Sequence, residues 1–184
     1  MIKKGLSFLF ILISSFVLFA GVYNINMGDS EQKLIDNKIN YSVYSETDSE
    51  KILNFFPVEE NSVFDDYFLY LNKQSGVDSI TEVSKLINCS SDGKELYQVY
   101  YLLSNILDKA FDTSSKAYVF KSPSITSDEK TMEDLLSGDL VVLNYWKIEN
   151  LNNDIKSITL EMRAETDKLG FLVLNYYGFD ILDY

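Results

Sequence analysis

The sequence predicts an α+β fold, in which an antiparallel sheet built chiefly from a C-terminal meander is packed on one face by helices, with residues 93–111 as the central helix. Three observations carry that expectation. In residues 95–111, Leu96, Val99, Tyr100, Leu103, Ile106, Leu107 and Ala110 recur at the three-and-four spacing of a single helical stripe. In residues 157–165, Ile158, Leu160, Met162 and Ala164 alternate with Thr159, Glu161, Arg163 and Glu165, as in a strand with one face to a core and the other to water. The first part of the chain mixes helix and strand signals, while the last part is mostly strands and turns.

In chain order, residues 1–20 begin with Lys3 and Lys4 and run from Gly5 to Ala20 without a charge, with Gly21 following. A basic start, an apolar run and small closing residues are the layout of a secretory signal peptide, so the mature chain is expected to begin at Gly21 or Val22. The alternative is an uncleaved anchoring helix, because the run lies near the lower limit for spanning a bilayer. Residues 21–38 read as a mobile leader containing Gly28, Asp29 and Ser30, and residues 39–184 as a single domain.

Residues 39–45 alternate as a strand. Thr47 and Glu50 have the spacing of a capping box, which predicts a helix over 48–56 stopped by Pro57. The aromatic run 63–71 suits a strand, although Asp65 and Asp66 argue against it and a second short helix is the alternative. Ser79 with Glu82 predicts a second helix ending near Asn88, and Asp92 with Glu95 heads the central helix, roughly 25 Å long at about 1.5 Å per residue. Further on, 117–121 reads as a strand, 129–136 as a short helix ended by Gly138, and 140–148 as an apolar strand. Residues 171–177 are expected to pair with 157–165 as a hairpin across the loop 166–170.

The whole chain carries a formal charge of −12, and removal of residues 1–20 takes away two lysines and no acid, leaving −14. Such an excess repels phosphate backbones and anionic lipid surfaces, so neither nucleic acid nor, after signal cleavage, a membrane is an expected partner. Cys89 is the only cysteine, which excludes an intramolecular disulfide and leaves a thiol expected to be buried near the end of a helix. The two-lysine start and compact mature chain point to a bacterial export product, periplasmic or extracellular.

The chain contains no histidine. That absence removes histidine-activated nucleophiles and histidine metal sites, and the single cysteine removes thiolate zinc sites. Serine and lysine stand three apart at Ser30/Lys33, Ser91/Lys94 and Ser127/Lys130, without the companion motifs of serine–lysine enzymes. Asp65/Asp66, Asp128/Glu129 and Glu133/Asp134 are the carboxylate pairs that a small polysaccharide-acting hydrolase would need to bring across a cleft. Neither a calcium loop nor a glycine-rich phosphate loop is present. No catalytic residue, metal ligand or cofactor is therefore assigned.

Thirteen tyrosines and Trp146 are the remaining feature. Tyrosine presents apolar area with a polar edge, which suits both the rim of a core and a contact with a protein or carbohydrate partner. Tyr97, Tyr101, Trp146 and Tyr176 are the candidate partner surface of a non-catalytic interaction domain.

Overall fold

Period-two alternation governs most of the chain. The computed structural model describes residues 23–57, 63–123, 131–149 and 154–183. The expected signal peptide, and Ser127, Asp128, Glu129 and Lys130, lie outside the described residues. In order, the elements are α1 (Glu31–Asp36), β1 (Asn40–Glu46), β2 (Glu50–Phe56), β3 (Phe64–Asn72), β4 (Gly76–Ser84) and β5 (Ile87–Asn88). They are followed by α2 (Lys94–Ala110), β6 (Lys116–Lys121), α3 (Met132–Ser137), β7 (Leu140–Lys147), β8 (Ser157–Thr166) and β9 (Leu169–Tyr177).

The strands form one sheet in the order β1-β2-β3-β4-β9-β8-β7-β6, with β5 also beside β9, and every pairing is antiparallel. Two meanders thus meet along a single seam, where Ile80 of β4 stands opposite Tyr176 of β9 and Glu82 opposite Leu174. The fold is α+β, with α2 as the central helix lying against β5, β8 and β9.

Two expected helices are strands. Residues 48–56 form the turn and second strand of the β1–β2 hairpin: Thr47 Oγ1 accepts from Glu50 N at 3.1 Å, and Thr47 N donates to Glu50 O at 2.8 Å. The capping-box pair is real as a local hydrogen bond, but it closes a hairpin instead of starting a helix. Residues 79–88 contribute most of β4 and all of β5. Ile80, Thr81 and Val83 are β-branched and gain cross-strand neighbours on both sides, which outweighs a short capping pattern. Cys89 accordingly follows β5 instead of ending a helix, half-buried, with its thiol pKa raised by burial. The β8–β9 turn is tighter than expected, with β8 running to Thr166 and β9 beginning at Leu169.

One face of the sheet is the core face. Over β2, β3 and β4 it carries Leu53, Phe55, Tyr67, Leu69 and Ile80, and over β7, β8 and β9 it carries Trp146, Ile158, Leu160, Leu172 and Leu174. Residues 23–38, expected as a mobile leader, supply Ile25, Met27 and Leu34 to this core. Tyr23 packs edge-on against Phe55 and Tyr67, and Gly28 N donates to Val77 O at 2.8 Å. The polar composition of the segment hid three apolar residues spaced to meet the sheet. Gly76, at φ +91, allows this crossing, since a Cβ there would fall on the carbonyl of Gly28.

The other half is covered by Leu96, Tyr100, Leu103 and Leu107 of α2 and by Met132 and Leu135 of α3. Helix α2 begins at Gly93, and Glu95 reaches back to accept from Ser90 N at 2.8 Å, so the expected N-terminal carboxylate serves the preceding loop. Helix α3 has a true capping box between Thr131 and Asp134 and ends at Gly138.

Candidate functional site

Side chains alternate along a strand, so the residues between the core positions form a second face, which none of the helices among the described residues covers. The register places them in rows across the sheet. One row runs Ser42, Asn54, Phe68, Thr81, Asn175, Thr159, Tyr145 and Lys116. The next runs Ile52, Tyr70, Ser79, Tyr177, Ser157 and Lys147. On the other side lie Val83, Val173, Glu161 and Leu143, and beyond them Phe171 opposite Arg163.

These rows enclose a groove of about 410 Å³. Its floor is a fixed polar ladder, in which Thr81 Oγ1 donates to Asn175 Oδ1 at 2.6 Å and Asn175 Nδ2 donates to Thr159 Oγ1 at 3.1 Å. Phe68 and Tyr70 stand on one side, and Phe171 and Tyr177 lie along β9. Arg163 Nη2 donates to Glu161 Oε2 at 2.9 Å, which keeps the guanidinium charged. Burial raises the Tyr177 hydroxyl despite its hydrogen bond with Thr159, and Tyr70, Glu161 and Arg163 line the same groove.

The chain end crosses the same face. Ser157 Oγ donates to Phe179 O at 2.7 Å, while Asp180 accepts from Tyr145 Oη at 2.6 Å and pairs with Lys147 Nζ at 2.8 Å. Those two partners hold the Asp180 carboxyl down at about 2. This strap, residues 178–183, brings Ile181 into the groove wall.

On the opposite face sits Glu82, 2 % exposed and held by hydrogen bonds from Tyr23 and Tyr176. Desolvation raises its carboxyl to about 7 despite those donors. A strongly shifted acid is a frequent mark of an active site. Here the acid is enclosed among Tyr23, Tyr67 and Tyr176 on the core side of the sheet, away from the groove.

Of the candidate surface residues, Trp146 is fully buried and donates to Asp108 Oδ1 at 2.7 Å. Tyr176 is also buried, as a donor to Glu82. Tyr97 is half-buried, and Tyr101, 57 % exposed, stacks on it with ring centroids 6.2 Å apart. The four do not share one surface: two belong to the interior and two to the flank of α2.

Sequence reasoning missed Phe68, Tyr70, Phe171, Asn175 and Tyr177 as a set. Their signal was period-two spacing, Phe68 with Tyr70 on β3 and Phe171, Asn175 and Tyr177 on β9, two strands that β4 brings onto one face. On the polar face of β8, expected to meet water, Arg163 and Glu165 are exposed, whereas Thr159 is groove floor and only 3 % exposed.

Among the described residues no group of three or more histidine, cysteine or acidic side chains is placed to hold a metal, and no helix is long and apolar enough to cross a membrane. Fold and site together define an α+β domain with one helix-covered face and one open, grooved face. No protein-family model, curated protein or solved structure matches the chain.

Proposed function

We propose that the chain is an exported, non-catalytic binding domain that holds its ligand in the groove on the open face of the sheet. The observation that carries this reading is the groove that Tyr70, Tyr177, Glu161 and Arg163 line together around a hydrogen-bonded floor of Thr81, Asn175 and Thr159. A few fixed polar groups set among aromatic walls, in a volume of a few hundred Å³, are the ordinary composition of a binding site. Glycoside hydrolysis in its usual form uses two carboxyl groups facing each other about 5–9.5 Å apart, and among the described residues the one carboxylate of this groove, Glu161, is already paired with Arg163.

Export is supported by the basic start and uncharged run of residues 1–20. A bacterial producer would place the mature chain in the periplasm or outside the cell. The test is expression from Met1 in a bacterial host with intact-mass measurement of the exported product. A mass beginning at Gly21 or Val22 supports the reading, and a full-length, membrane-retained chain replaces it with an anchored envelope protein.

Binding is tested by immobilising the mature chain and comparing what it retains with what Tyr70→Ala retains. Loss of retention in the variant locates the ligand in the groove. A second reading, a protein partner on α2, is favoured by the exposed Tyr101 ring stacked on Tyr97. Retention that survives Tyr70→Ala and fails in Tyr101→Ala would select it.

A further inference from the structure

We infer that the ligand of this groove is a neutral oligosaccharide, an inference that rests on the groove being the binding site. Charge is the first argument. The full chain carries a formal charge of −12, yet among the described residues the only charged side chains lining the groove are Glu161 and Arg163, which neutralise each other at 2.9 Å. An anionic ligand meets an acidic molecule with its one groove cation already paired, and a cationic ligand finds the groove carboxylate taken.

Shape and polarity give the second argument. A sugar ring has an apolar face of C–H groups and a polar edge of hydroxyls, so it needs flat aromatic surface beside side chains that both donate and accept. Tyr70 is 41 % exposed and presents such a surface, and Tyr177 and Phe171 lie on the neighbouring part of the groove. Asn175, Glu161 and Arg163 are planar groups held by their own hydrogen bonds, so little entropy is lost when they bind hydroxyls. From Phe171 to Tyr177 the strand spans about 20 Å, room for several linked rings. An alkyl chain, by contrast, would have to lie over a floor that is polar across three strands.

The test is isothermal titration of the mature chain with maltohexaose, cellohexaose, xylohexaose and the hexamer of N-acetylglucosamine, beside dodecanoate and polygalacturonate. The expected result is binding of at least one neutral hexasaccharide, weakened tenfold or more in Tyr70→Ala and in Arg163→Met, and unchanged in Tyr101→Ala. Tyr70 and Arg163 are exposed, so both variants keep the fold, which their thermal transitions verify. Binding of dodecanoate or polygalacturonate alone, weakened in Tyr70→Ala, overturns the sugar assignment and leaves the groove as the site. Binding of a hexasaccharide that depends on Tyr101 and ignores Tyr70 overturns the groove itself. Failure of all four hexasaccharides to bind overturns the sugar assignment.

Discussion

Burial lifts the Glu82 carboxyl well above the ordinary carboxylate range. A carboxyl whose folded pKa is raised from 4.5 to about 7 keeps its proton in the folded chain over a range where the unfolded chain has lost it. Its effect therefore runs opposite to that of a salt-bridged acid: stability is highest below the unfolded pKa and falls as pH rises through the folded one. Over that window the loss is on the order of 3 kcal/mol. Thermal unfolding followed from pH 5 to pH 8 is expected to show a falling midpoint in the wild type and a flatter profile in Glu82→Gln, and equal slopes in the two proteins would refute it. Tyr23→Phe and Tyr176→Phe each remove a donor to the carboxylate, so both are expected to push the Glu82 titration to still higher pH, read by carbon NMR of the side-chain carboxyl. Asp180 behaves in the ordinary sense. Its stabilising contribution is present above the unfolded carboxylate range and is lost only as pH falls through about 2, outside that window.

Elements are held by their ends. Helix α3 has only six residues, and its first turn depends on Thr131 Oγ1 accepting from Asp134 N while Asp134 Oδ2 accepts from Thr131 N at 3.0 Å. Thr131→Ala is expected to cost about 1 kcal/mol in a denaturant titration. The strap at residues 178–183 has a comparable dependence on Asp180. Asp180→Ala removes the acceptor of Tyr145 and Lys147 together, and hydrogen exchange of residues 178–183 is expected to quicken while that of α2 stays unchanged. Legibility followed the same division. The stripe of α2 and the alternation of β8 and β9 could be read directly, because each repeats over several periods. Thr47/Glu50 and Ser79/Glu82 misled because a capping pattern is only four residues long. A hairpin turn uses the same hydroxyl bond as the first, and the second occurred inside a strand by residue coincidence.

At the scale of the whole molecule, the β4–β9 seam joins two meanders that are far apart in sequence, and both faces depend on it. The core passes through Ile80 and Leu174, and the groove passes through Thr81 and Asn175. Ile80 is fully buried, so Ile80→Ala is expected to cost about 2–5 kcal/mol. Because the seam is shared, far-ultraviolet and near-ultraviolet signals should still move together in one transition; two separate transitions would show that the meanders are independent units. The close approach of Gly76 to the Gly28 carbonyl belongs to the same scale, tying the segment that carries Tyr23 to the start of β4.

By itself the sequence determined the α+β class, the central helix, the late meander and the absence of histidine chemistry, because periodicity and composition are local and cumulative. Apart from the β8–β9 hairpin, which its short connecting loop already indicated, the tertiary structure decided which strands became neighbours. The rows that build the groove take residues from β3, β4, β9, β8 and β7, and no local pattern encodes that order. It also decided which tyrosines became interior. Tyr176 and Tyr177 are adjacent in the chain, yet alternation sends one to Glu82 in the core and the other to the groove. That division depends on which face the helices cover, and long-range packing settles that.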